Sequence, residues 1–312
     1  MLTEGERWTE DQLTQLRNAQ FRPGAQVAFL RAAQARSNAT RRARPGLARQ
    51  ELTWILAGTA AWLGLGRLGP DRVFGRVQRR GLVWWAACAV MLDWHLGMLE
   101  TPTGSPVGLG AADALTLARA WLVPAVAEAA EPRLVLLGAL TDLADGHVAR
   151  ATRCTRFGRD LEGLADAAFA LAALHGAVSA GHLSPPVAAL ERARLAAGTA
   201  YAGGAYFASA RAPDARITRS GRSTAPIRMA GLITAGLGRR RLADRLLLTG
   251  TVAAVAGQVR RHLSATEATE ATEATGTTGE MRTSGTTGTT GTTGTTGTTG
   301  TTGTTARTGT TG

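Results

Sequence analysis

Eight stretches of the chain are apolar for long enough to be helices, near residues 52–66, 81–99, 115–130, 133–145, 161–181, 187–207, 225–238 and 242–259. They are rich in Ala, Gly and Leu and poor in polar faces. A soluble all-α protein with buried helices is the competing reading, but eight such segments favour a polytopic membrane bundle. Several are shorter than the ~20 residues of a perpendicular span. Flanks can lengthen them, as Gly146–Ala149 would the fourth. Residues 1–50 are polar and basic, with no apolar core that would predict a cleavable leader. "TEDQ" at Thr9–Gln12 predicts a capped helix start. "AQVAFLRAAQARSNATRRAR" then predicts a basic amphipathic helix, lying on a membrane surface or simply solvated. Regions 1–50, 51–100, 110–263 and 264–312 follow from these shifts. The six segments from 115 onward form a helical core, and the two within 51–100 are additional to it.

Composition sharpens this pattern. The 312 residues are 44% hydrophobic and carry a net charge of +12. All 35 basic residues are arginine. A basic chain suits nucleic acid or an anionic membrane. These arginines lie between apolar segments rather than on one patch, which favours the membrane and argues against nucleic acid. From Ser264 a Thr/Gly/Ala/Glu repeat has too few apolar side chains to offset ordering entropy, so disorder is expected there. The two cysteines, Cys88 and Cys154, form no metal or disulfide framework.

Arginine placement also predicts orientation. Linkers 146–160 and 208–224 and the edge at Arg260 and Arg261 are arginine-rich, whereas those near Ala130 and Gly181 are nearly uncharged. Counted from the third segment, this gives six spans with both basic linkers cytoplasmic, in a multi-pass cell-membrane protein. Two stretches, 66–80 and 238–245, are basic where the pattern would put them outside.

The chemistry gathers in "TDLADGHVARATRCTRFGRDLEGLAD", Thr141–Asp166. Asp142 and Asp145 are three apart, and Gly146 and Ala149 continue their helical face. Gly158, Glu162 and Asp166 are four apart and share a face of the next helix. Two antiparallel helices joined by a short basic loop would make the four carboxylates converge. Such a cluster repels itself unless protons or cations neutralise it. Oxygen-only ligands on fixed helices suit a hard divalent cation such as Mg²⁺, Mn²⁺ or Ca²⁺. Such cations can clamp a diphosphate and activate a hydroxyl. Gly146 and Ala149 leave room for a ligand against the backbone. Farther on, Glu191 and Arg194 are spaced to pair, or an arginine there faces the cavity. Asp93 and His95 flank Trp94 as interface anchors.

This stretch resembles the signature of the CDP-alcohol phosphatidyltransferases, D-x2-D-G-x2-A-R-x8-G-x3-D-x3-D. The chain reads Asp142-x2-Asp145-Gly146-x2-Ala149-Arg150, seven residues, then Gly158-x3-Glu162-x3-Asp166. It departs twice, with a spacer one residue short and glutamate for the third aspartate. "ALTLARAWLVP", Ala114–Pro124, is similar to the family's first helix through Thr116, Arg119 and Pro124, and "SGRSTAPIR", Ser220–Arg228, to the stretch that opens the fifth. The resemblance spans roughly residues 110–260.

It implies a six-helix membrane core that moves a phosphatidyl group from CDP-diacylglycerol to an alcohol or alcohol phosphate, releasing CMP, with Mg²⁺ or Mn²⁺. It assigns Asp142, Asp145, Glu162 and Asp166 to metal, and Asp166 also to the general base. Gly146, Ala149, Arg150 and Thr116 fall to the nucleotide. Arg119, Arg219 and Arg222 are candidates for an acceptor phosphate. The likeness to phosphatidylglycerophosphate synthases makes glycerol 3-phosphate the first acceptor expected, and a homodimer is a further expectation. The alternatives are a cation-binding membrane transporter and a catalytically inactive scaffold.

Overall fold

The computed structural model describes residues 3–68, 72–101, 103–151, 155–209 and 223–280. Among them the regular structure is helical. The elements are α1 (Glu4–Asn18), α2 (Pro23–Ala43), α3 (Pro45–Gly66), α4 (Val73–Trp94), a 3₁₀ turn (Leu96–Met98), α5 (Ala111–Ala129), α6 (Pro132–Ala151), α7 (Arg156–Ser179), α8 (Pro185–Ser209), α9 (Ala225–Gly236) and α10 (Arg240–Glu280). All eight apolar stretches fall on helices. At 1.5 Å per residue, α3 to α8 are about 28–38 Å long, and α9 only about 18 Å.

The helix that organises the rest is α5. It packs along much of α6 and α7. Those two also meet each other, where the Phe169 ring of α7 lies against Gly138 of α6. Small residues allow the close approach to α5. A Cβ on Gly176 of α7 would run into the Val126 carbonyl of α5 and lie 2.7 Å from Ala130 N. Ala125, Val126 and Ala130 are fully buried. A Cβ on Gly236 of α9 would lie 2.9 Å from Ala130 O. One core therefore gathers at the α5–α6 turn, from Leu122, Val126, Phe169, Leu174, Leu183, Leu232 and Leu247.

The two additional segments, α3 and α4, are tied onto α5 by indoles. Trp85 Nε1 donates to Ile55 O at 3.0 Å and Trp121 Nε1 to Gly58 O at 3.0 Å. Trp84 Nε1 donates to Ala120 O at 2.7 Å. That last bond has a specific cause. Pro124 lies inside α5 and has no N–H to give the carbonyl four residues earlier, which is Ala120. The Trp62, Phe74 and Trp121 rings stack at 4.7–5.6 Å where the three helices meet.

The N-terminal helices differ in detail from expectation. Helix α1 starts at Glu4, with Thr3 and Glu6 forming the reciprocal capping box, rather than at Thr9. Thr3 prevails because its hydroxyl also donates to Glu100 at 2.6 Å, while Thr9 donates back to Gly5 O. Helix α2 does show Val27 and Leu30 to the outside. Its other face grips Asp93, which accepts from Gln34 (2.9 Å), Ser37 (2.6 Å) and Arg41. Asp93 is thus an interhelical acceptor rather than an interface anchor.

The basic stretches at the starts of α4 and α10 lie near the α5–α6 turn and the start of α8. Phe74 packs on the core at the α5–α6 turn, and Asp244 accepts from Ser184 N and Oγ at the start of α8. At the C-terminus, residues 264–280 are helical. The Ala and Glu of the A-T-E repeat are strong helix formers. Residues 281–312 lie outside the described ones.

Among the described residues, one stretch, Leu161–Ser179, is long and apolar enough to cross a membrane by length and composition. The other helices fall short because they are alanine- and glycine-rich and carry charges such as Arg119, Glu128 and Glu191. Glu191 and Arg194 do pair, at 2.7 and 2.8 Å. Arg228 of α9 (2.9 Å) and Thr251 of α10 (2.7 Å) complete the contacts of the same carboxylate.

Two outcomes are expected. Gly176→Ala should lower stability by about 1–3 kcal/mol through overpacking, whereas Gly198→Ala, with open space around it, should be neutral or stabilising; thermal unfolding in detergent distinguishes them. Glu191→Ala would leave two buried arginines facing each other, a loss of about 3–5 kcal/mol for breaking a buried pair, read as a collapse of the folded fraction after extraction.

Candidate active site

The first helix of the core places three polar residues on one buried stripe. Asp113, Thr116 and Arg119 of α5 are three apart and exposed by 1%, 2% and 1%. Spacing of three keeps them on one side of the helix, facing its neighbours. Thr116 donates to Ala112 O at 3.3 Å within its own helix. Arg119 reaches across to both neighbours. Its Nη1 bonds Asp166 Oδ1 on α7 and lies 3.4 Å from Asp142 Oδ1 on α6. One guanidinium nitrogen therefore touches carboxylates from two different helices.

The acids themselves are open to ligand. The side chains of Asp142 and Asp166 are 38% and 42% exposed, while that of Arg119 is only 2% exposed. The cation forms the floor of the site and the carboxylates its rim. Desolvation of the guanidinium is offset by the two acids above it, and they lose mutual repulsion in return. Glu162 lies on α7 one turn before Asp166 and is half-buried. Asp145, Gly146, Ala149 and Arg150 lie on the last turns of α6, and their side chains are outside those described. Arg219 and Arg222 fall outside the described residues. Among the described residues, no three acids, histidines or cysteines converge closely enough to hold a metal ion.

Two further residues contribute, Asp113 of α5 and Gln50 of α3. Asp113 Oδ2 accepts from Gly110 N at 2.7 Å and its Oδ1 from the Thr155 hydroxyl. Gln50 of α3 donates to Leu109 O at 2.8 Å and accepts from Leu109 N at 2.9 Å, fixing the strand-like lead into α5. Three polar residues three apart in an apolar run were a readable sign of Asp113. Nothing local to Gln50 announced its distant partner.

Replacing Arg119 by Gln should leave the two acids facing each other without their cation. The expected result is a folded chain, by circular dichroism, whose transfer activity falls on the order of 10²-fold, as when an electrostatic clamp is removed; release of the nucleotide product measures it.

Residues 109–256, a little under half of the chain, match the family model for CDP-alcohol phosphatidyltransferase. No curated protein and no solved structure matches the chain.

Proposed function

We propose that the chain, whose residues 109–256 match the CDP-alcohol phosphatidyltransferase model, is a phosphotransferase of that family and transfers the phosphatidyl group of CDP-diacylglycerol to an alcohol, with glycerol 3-phosphate the first acceptor. The observation that carries this is the meeting of Arg119, Asp142 and Asp166 from three helices, near the middle of each.

The family is generally dependent on Mg²⁺ or Mn²⁺. The donor type supports a hard cation: Asp142 and Asp166 offer carboxylate oxygens half-open to ligand. Asp142, Asp145, Glu162 and Asp166 would hold it. Bound there, it would neutralise the diphosphate of the donor.

The residues of the chain do the rest. Asp166 takes the proton of the acceptor hydroxyl. The acceptor oxygen bonds the phosphatidyl phosphorus, the diphosphate P–O bond breaks, and CMP leaves with its electron pair. Arg119 holds the Asp166 carboxylate in place from below. Gly146 and Ala149 leave space for the nucleotide, with Thr116 and Arg150 beside it. Arg219 and Arg222 supply charge for a phosphate on the acceptor.

A bilayer setting is supported by outward apolar stripes. Leu248, Val252, Val255 and Val259 recur at helical spacing along α10, and Leu136, Leu137 and Leu140 along α6, all exposed. In that setting the protein is a multi-pass cell-membrane protein, with the acids facing the cytoplasm.

Purified protein incubated with CDP-diacylglycerol, Mg²⁺ and a panel of alcohols should release CMP with at least one of them. Asp166→Asn should reduce that release about 10²–10⁴-fold, the usual weight of a general base. CMP release from no acceptor, or an Asp166→Asn protein as active as wild type, would remove the reading.

A further inference from the structure

The spacer between Arg150 and Gly158 has seven residues, one fewer than the signature it resembles. Its far end is anchored more firmly than a helix linker needs. The Thr155 hydroxyl donates to Asp113 Oδ1, and both residues are buried, at 2% and 1% exposure. The other oxygen of the same carboxylate accepts from Gly110 N at 2.7 Å, the residue that caps α5. One side chain thus holds the starts of two helices, α5 and α7. Two residues on, Phe157 is 1% exposed in a cluster with Leu47, Leu92, Leu96, Leu99, Leu109 and Leu117.

We infer that Asp113 and Thr155 form a latch that sets the register of α7, and with it the place of Glu162 and Asp166 against Arg119. Thr155 is a positioning residue: it touches no substrate atom and acts through the helix it starts. The physical argument is geometric. Sliding a helix by one residue moves it 1.5 Å along its axis and turns it by about 100°. A slip of that size at Thr155 would carry Asp166 off the Arg119 guanidinium. The spacer alone does not prevent it, since a linker shortened by one residue pulls α7 toward α6 with nothing to fix rotation. The buried hydrogen bond fixes the axial position, and Phe157 fixes the rotation. The bond resists slipping because breaking it strands a carboxylate oxygen and a hydroxyl away from water. The same latch explains how the chain accommodates a spacer one residue short.

The inference rests on the transferase reading for its activity measurements only, so a second readout is independent of catalysis. Full-length Thr155→Val should exchange amide hydrogen at least ten-fold faster over residues 157–166 than wild type, with α8 unchanged. Thr155→Ser, which keeps the hydroxyl, should stay within about two-fold. In the same proteins, Thr155→Val should weaken Mn²⁺ binding, followed by electron paramagnetic resonance, and lower kcat by roughly ten-fold while KM for the acceptor stays put. Thr155→Ser should restore both. Should Thr155→Val not fold because its extra methyl meets the carboxylate, Thr155→Ala makes the same comparison by truncation. Unchanged exchange over 157–166 in the hydroxyl-free variant overturns the latch. So does faster exchange accompanied by wild-type Mn²⁺ binding and kcat. A wild-type protein that releases no CMP refutes the transferase reading instead, and the exchange comparison still decides the latch.

Discussion

A buried arginine that reaches two carboxylates is the constraint from which the arrangement of the core follows. Arg119 is withdrawn from solvent almost completely, and its charge is acceptable there only while Asp142 and Asp166 stand over it. That requirement fixes three helices at once. It holds α5 against both α6 and α7 and sets the height of each acid along the bundle. The close backbone approaches at Gly176 and Gly236 are the apolar counterpart at the end of α5. Between these two points α5 has little freedom to turn.

A second ionic centre follows similar logic without the rim. Glu191 is buried and receives Arg194, Arg228 and Thr251, joining α8, α9 and α10. At the acid-rimmed site the cation is buried and the carboxylates are exposed. At Glu191 the carboxylate is buried among donors. The first arrangement leaves oxygens open to ligand, and the second consumes them in holding helices together. The difference in exposure separates a candidate reaction centre from a structural one.

Much of this was legible in the sequence, for reasons that can be stated. The eight apolar stretches became helices because runs of Ala, Leu and Val with small residues between them have few alternatives. The spacing of Asp142, Glu162 and Asp166 placed them on shared faces because helical period is local. What local period could not tell was the identity of the neighbour. It brought the acids of α6 and α7 together without showing that Arg119 of α5, a candidate for an acceptor phosphate, reaches both. Asp93 looked like an interface residue until α2 supplied Gln34, Ser37 and Arg41. The start of α1 was misplaced by six residues because two overlapping capping patterns compete, and the winner is decided by Glu100, far along the chain. Alanine and glycine serve close packing as readily as they serve lipid, and hydropathy does not distinguish the two uses.

The bond from Trp84 to the Ala120 carbonyl bears on where the protein can be cut. Family resemblance begins near residue 109, which invites treating everything before it as an appendage. Yet Pro124 withholds a donor from Ala120, the neighbour of Arg119, and the indole that replaces it comes from residue 84. The hairpin of α3 and α4 is therefore part of the hydrogen bonding of the helix that carries the site. The boundary of recognisable ancestry and the boundary of the folding unit fall at different places in this chain.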